Sequence, residues 1–269
     1  MKDGSIYSIV CGMPRCGTRQ FADFLNRDDR ICIQGEIRST LIPYISKLVL
    51  KADNEYKSGK LQKYFSKKKR YDAAVELFSL FSKGRRYKKK TALIHGFKPP
   101  GAELQHKVLC SVILPSVNKL IFFYCIRNIK DCFLSLSAMP WFRRTAEQFI
   151  SRYIKSLKTA ITVEQKSNNE NAKTRICILN LDDFIATEEK ANWIKQKLFS
   201  PLGIELSFSE AQAYINTTEN RNSTMRATGT KRETVLPEAV SEIFQCKIDE
   251  INKVVADFNN IFEASLTYI

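Results

Sequence analysis

Residues 10–26 read VCGMPRCGTRQFADFLN. Gly12 and Gly17 stand at the spacing of the phosphate-binding loop G-x-x-x-x-G-K-[ST], but Thr18 takes the lysine's place and Arg19 that of the serine or threonine. The cation sits inside the loop instead, at Arg15. A glycine-bearing turn between a strand and a helix presents backbone N–H groups and a helix N-terminus, and both favour an anion. Thr18 adds a hydroxyl donor and Arg15 a charge. The same glycines suit any tight strand-to-helix turn, so the loop alone leaves both readings open. A second group closes the apolar run KLIFFYCI: Arg127 follows it, and Ser135 lies two helical turns further on. From those places an arginine and a serine can grip one phosphate from two sides. Taken singly, each is also an ordinary exposed polar residue. A third group, His95-Gly96-Phe97-Lys98-Pro99-Pro100, sets a histidine and a lysine just after a short apolar run.

The elements that must position these groups alternate. The apolar run at 6–11 reads as a buried strand, and 18–26 as a helix that begins inside the loop. Helical pattern fills 41–82, broken by lysine clusters, and a brief strand is expected at 92–94. The strongest strand signal is 119–126, followed by an amphipathic stretch at 131–136, a long helix at 142–165 and a strand at 175–179. From 182 the pattern is helical, apart from a loop at 216–232, and Pro237 opens a last helix to about 260. Strands alternating with helices imply right-handed crossovers and a parallel sheet. One α/β domain over 1–269 is expected, a three-layer sandwich with a central parallel sheet flanked by helices. In such sheets ligands bind beyond the carboxyl ends of the strands, which is where the three groups fall.

Forty-three Lys and Arg against 28 Asp and Glu give the 269 residues a net charge of +15. Such a surface attracts polyanions and acidic small molecules. None of the eight cysteines forms a C-x-x-C pair, so neither zinc nor a dithiol redox site is suggested, and a reducing compartment is the simplest inference. Met1–Ser5 leads straight into a strand and does not read as a signal peptide. No apolar run reaches the ~18 residues of a membrane span. A cytoplasmic location is expected, and the oligomeric state stays open.

At this point the residues resemble a family. GMPRCGT is similar to the G-x-P-[RK]-S-G-T loop of sulfotransferases that use 3'-phosphoadenosine-5'-phosphosulfate (PAPS). The stretch LPSVNKLIFFYCIRNIKDCFLSL resembles their second motif, with Pro115, Lys119, Arg127, Asn128, Lys130, Asp131 and Ser135 in register. HGFKPP is similar to the family's G-x-K-x-P segment, and GEIRSTLIP to the G-E-E-T-R stretch of the protein-tyrosine type. The resemblance implies the P-loop-NTPase-like sulfotransferase fold, a PAPS donor with 3',5'-ADP as product, and no metal requirement. It implies that Pro14, Arg15, Cys16, Gly17, Thr18, Arg19 and Gln20 bind the 5'-phosphosulfate, and that Arg127 and Ser135 bind the 3'-phosphate. A Walker lysine serves a nucleoside triphosphate and its magnesium, so a sulfuryl donor has no use for one. Cys16 departs from the family serine, Arg19 from its second threonine and Ile129 from a proline; Arg19 either adds a cation to the phosphosulfate or points away.

By the same resemblance Glu36 is the base that takes the acceptor's proton, with His95 as rival, while Lys98 and Arg15 meet the transferring group. Arg226, Gly229 and Lys231, in the 216–232 loop, are expected as a lid on the 3'-phosphate. The Lys-rich insertion at 41–90 falls on the acceptor side. A hydroxyl-bearing acceptor is implied (a glycan, a lipid-linked sugar or a small alcohol), and an anionic glycan suits the lysines. Two other classes compete. A nucleotide or sugar kinase with a degenerate P-loop would want the missing lysine and an Asp for magnesium. A basic nucleic-acid-binding module would set aromatics among the lysines, but nucleic acid is not the expected partner.

Overall fold

A computed structural model describes residues 5–38, 40–59, 67–82, 92–167, 173–218, 228–229 and 233–268. Five parallel strands form its sheet: β1 (Ile6–Gly12), β2 (Ile31–Gln34), β3 (Ile94–Phe97), β4 (Lys119–Ile126) and β5 (Thr174–Asn180), in the order β2-β3-β1-β4-β5. The central strands β1 and β4 are buried along nearly their whole length. Such continuous apolar runs are what a parallel sheet covered on both faces requires.

The crossovers supply the cover. Helix α1 (Thr18–Leu25) joins β1 to β2, and α2 (Leu41–Lys57) and α3 (Lys67–Leu80) join β2 to β3. Between β3 and β4 lies α4 (His106–Ile113); between β4 and β5 lie α5 (Ile129–Ser137) and α6 (Ala146–Ser167). After β5 come α7 (Leu181–Ala186), α8 (Lys190–Ile194), α9 (Phe208–Thr217), α10 (Glu238–Cys246) and α11 (Ile248–Phe262). Connections that move along the sheet in opposite directions fall on opposite faces. Accordingly α2, α3, α4 and α6 gather on one face, with α11 on α6, and α1 packs with the segment after α8 on the other. Phe21 of α1 stacks on Trp193 of α8 with ring centroids 5.4 Å apart, and both meet Phe184 of α7.

Several elements differ from the sequence reading. The strand expected at 92–94 is β3, displaced to Ile94–Phe97, and it runs through Gly96. A Cβ at Gly96 would lie 1.8 Å from the Ser8 carbonyl oxygen, so the glycine there permits close strand approach instead of breaking the strand. β2 was not expected at all; the Asn26 side chain at the end of α1 holds it, donating to the Ile33 carbonyl (2.8 Å) and accepting its N–H (2.7 Å). The long helix starts at Ala146, where the Thr145 N–H donates to the Gln148 side chain and the Gln148 N–H donates to the Thr145 hydroxyl. The last helix is two, interrupted at Lys247. The segment 41–90 is the β2-to-β3 crossover; of its lysine-rich stretches at 57–70 and 83–90, residues 60–66 and 83–90 lie outside the described residues. Among the described residues no helix is long and apolar enough to cross a membrane.

Candidate active site

The first loop leaves β1 at Gly12, whose φ is 116°. A side chain there would collide with the Cys125 carbonyl oxygen of β4, 2.1 Å away. Gly12 N–H donates to Glu103 Oε2 (3.0 Å), and the Gly101 N–H donates back to the Gly12 carbonyl (2.8 Å). Arg15 then adopts φ 75°, a left-handed conformation that costs a non-glycine residue about 1–2 kcal/mol. Gly17, also left-handed at φ 87°, caps α1 and brings no side chain to its first turn. The start of α1, where the macrodipole is positive, therefore faces out of the loop uncapped by any side chain.

Helix α5 meets this loop. Its N-cap Asn128 accepts from the N–H groups of Lys130 (2.9 Å) and Asp131 (3.3 Å). Ser135, buried two turns in, accepts a hydrogen bond from Arg15 Nε at 2.9 Å. Arg127 lies close enough that its charge, after burial, lowers the Arg15 pKa from its ordinary value. Arg127 is fixed from behind: its Nε donates to Asp182 Oδ1 (3.3 Å), Asp131 lies 3.9 Å away, and its carbonyl accepts from Tyr153 (2.7 Å). Asp182 also accepts the Asn128 N–H at 2.7 Å.

Two loop residues face elsewhere. Cys16 is buried against α5, its Sγ 3.6 Å from that of Cys132, which in turn donates to the Pro14 carbonyl (3.2 Å). Burial and the neighbouring thiol push the Cys16 pKa far up, so it is a neutral packing residue. Arg19 lies along the helix surface, 3.8 Å from Asp23. Gln20 is half-buried beside it.

Across the cleft stand Glu36 and Lys98. They follow β2 and β3, whose ends pair Gln34 with Phe97, so strand order alone makes them neighbours. The buried Lys98 ammonium donates to the carboxylate of Glu36, which is 55% exposed at the cleft. His95 sits lower, level with Tyr7 of β1 and Cys32 of β2. That is five residues short of Gly12, roughly 16 Å along the strand. Burial lowers its pKa, and it does not line the cleft. Gly229 adopts φ 74° with open space around it, while Arg226 and Lys231 lie outside the described residues.

The cleft measures about 660 Å³ and is bounded by Arg15, Thr18, Glu36, Arg38, Trp141 and Arg144 among others. A larger groove of about 1150 Å³ lies between α4 and α6 and reaches Thr174 at the start of β5, the amino end of the sheet. Carboxyl ends of strands, a helix N-terminus and clustered cations make the smaller one the candidate site. Two residues that serve it escaped the sequence reading. Glu103, buried under the loop, accepts from Gly12 and from Ser156 Oγ (2.6 Å), and burial raises its pKa. Asp182 stands two residues past β5, and its only signal is that place.

No family model matches the chain, and no curated protein matches it by sequence. By structure it is similar to the sulfotransferase domain of the Synechococcus PCC 7002 olefin synthase, with a TM-score of 0.50 and 9% identity, over 99% of this chain and 98% of that one. The fold is that of a sulfotransferase. A sulfotransferase from Alicyclobacillus acidocaldarius aligns over the same 99% and 98%, with a TM-score of 0.47 and 12% identity. In this sulfotransferase fold all eight cysteines are free, and no group of three or more His, Cys, Asp or Glu among the described residues could hold a metal ion.

Proposed function

We propose that the chain is a PAPS-dependent sulfotransferase, moving a sulfuryl group to the hydroxyl of an acceptor. The observation that carries this reading is the meeting of Arg15, Arg127 and Ser135 beyond β1 and β4, within that fold. Two guanidiniums near enough to repel, a hydroxyl and a helix N-terminus make a donor set suited to a molecule with separate phosphate groups. PAPS, when bound, supplies an activated sulfuryl group carried on a phosphate.

The residues divide the work. Residues Pro14 to Thr18 and the start of α1 hold the 5' end, with Arg15 as the working charge. Arg127, oriented by Asp182, and Ser135 hold the 3'-phosphate. Glu36 takes the acceptor's proton, and the buried Lys98 both orients Glu36 and stands ready for negative charge that develops nearby. Glu36 is preferred to His95 because it lines the cleft with Arg15 and Thr18, whereas His95 does not. Arg19 and Gln20 contribute through α1 and not by direct charge on the donor. Arg226, Gly229 and Lys231 are assigned to a lid by family resemblance alone.

Thermal stabilisation tests the donor site: 3',5'-ADP is expected to raise the melting temperature more than ADP, and ATP with magnesium not to do so. Equal stabilisation by ADP and its 3'-phosphorylated form would remove the Arg127–Ser135 assignment. Glu36→Gln is expected to lower turnover ~10²–10⁴-fold while 3',5'-ADP still binds. Normal turnover in that variant would remove Glu36 as the base.

A further inference from the structure

The acceptor side of the cleft carries a charge that the donor does not need. Beyond Arg15 its wall includes Arg38, Arg143, Arg144 and Arg152, and its only carboxylate among the described residues, Glu36, is engaged by Lys98. These arginines are not all surface residues left to solvent. Arg152 projects from α6 across Gly101, and a Cβ at Gly101 would lie 2.7 Å from its Nη2, so a glycine makes room for the guanidinium. Its Nε is buried and has no acceptor among the described residues. Burial and the charge of Arg144 lower the Arg152 pKa, an effect the buried Glu103 only partly opposes. Arg143 is braced on the rim by the carbonyls of Pro140 and Phe142, 2.6 and 3.1 Å away. A half-buried guanidinium beside a second cation is costly until an anion joins them.

On the same rim Trp141 leaves 59% of its surface to solvent, next to Phe142. An exposed indole flanked by cations offers a face for a ring and donors for its acidic substituents. From this juxtaposition we infer that the acceptor is an anionic saccharide, its ring on Trp141 and its carboxylate or sulfate on Arg144 and Arg152. The inference rests on the sulfuryl-transfer reading, because it takes the cleft beside Glu36 as the acceptor's place. A neutral sugar or a simple alcohol would leave the guanidiniums unmatched.

The test compares a glucuronate-containing tetrasaccharide with its carboxyl-reduced counterpart, by calorimetry and by transfer of label from PAPS. The acidic form is expected to bind about 10- to 100-fold tighter, with the difference shrinking at high salt. Arg144→Ala and Arg152→Gln, made separately, are each expected to cut that preference about tenfold and to raise the KM for the acidic saccharide more than they lower kcat. Arg144 is exposed, so its variant folds even if Arg152→Gln does not. Equal binding of the two saccharides, or a preference that survives Arg144→Ala, overturns the inference. Stabilisation by 3',5'-ADP separates the two failures. If 3',5'-ADP binds and the saccharide preference is absent, only the acceptor is wrong. If the preference is present and 3',5'-ADP does not bind, the anionic-saccharide site stands and sulfuryl transfer falls.

Discussion

At the scale of single residues, the loop keeps the glycine spacing of a phosphate-binding turn, with Gly12 and Gly17 at positive φ, and carries its cation at Arg15. That placement was legible in the sequence, as was the position of Arg127 and Ser135 past the end of β4, because residue type and spacing encode them directly. The partner that fixes Arg127 was not legible. Asp182 comes from another strand end, and only the β4–β5 pairing brings it within 3.3 Å of Arg127 Nε. An orienting carboxylate of this kind is a positioning residue, and its removal has a graded signature. Arg127→Ala is expected to weaken 3',5'-ADP binding ~10- to 100-fold while ADP binding changes little. Asp182→Asn is expected to do the same about tenfold, because the guanidinium stays but loses its bearing. Titration of both nucleotides against each variant checks this; an equal loss for ADP would mean that Asp182 only holds the fold together. Cys16 and Arg19, open at the sequence level, resolve through local geometry. The thiol packs inward on Cys132, and the arginine follows the helix surface to Asp23.

At the scale of elements, the site depends on how closely β3 approaches β1. Gly96 lies opposite Ser8, and any Cβ there would enter the Ser8 carbonyl. Gly96→Ala therefore forces backbone apart in the middle of a sheet, where nothing flexible can yield. The expected cost is about 3 kcal/mol or more, read as a fall in the urea midpoint. Lys98, two residues on, would lose its place beside Glu36, so activity should fall further than stability alone explains. A variant of unchanged midpoint would show that the strands can separate cheaply. The same glycine explains a misreading: in one dimension it looks like a breaker next to His95 and two prolines. The long apolar strands β1 and β4 were plain because burial on both faces leaves an unbroken run of Ile, Phe, Val and Cys. Edge strand β2 was hidden because four residues carry too little pattern, and Asn26 fixes it by contacts that a window of apolarity cannot register.

At the scale of the whole molecule, net charge and one half-buried histidine set how the fold responds to acid. His106 opens α4, packs on Phe122 with ring centroids 5.0 Å apart, and lies 3.3 Å by Nε2 from Cys110 Sγ. Burial, helped by the charge of Lys166, lowers its pKa to about 4 from an ordinary value of 6.5. A group whose pKa falls on folding is neutral in the folded state while the unfolded chain takes the proton. Its contribution is complete above pH 6.5 and is lost as pH falls toward 4. The loss across that window is at most about 3 kcal/mol, and less to the extent that water reaches the ring. Glu103 works with the opposite sign. Its raised pKa means that stability is fullest below the unfolded carboxylate range and declines as pH rises through the folded value. Acidification through its folded value therefore relieves Glu103, against the loss at His106. Each proton taken up also adds to a net charge already at +15, and self-repulsion favours the expanded chain. Denaturant midpoints measured from pH 7 to pH 4 should fall for the native chain. The His106→Phe variant, which keeps an aromatic ring on Phe122, should flatten the upper part of that curve. An unchanged slope would assign acid sensitivity to the carboxylate ion pairs instead.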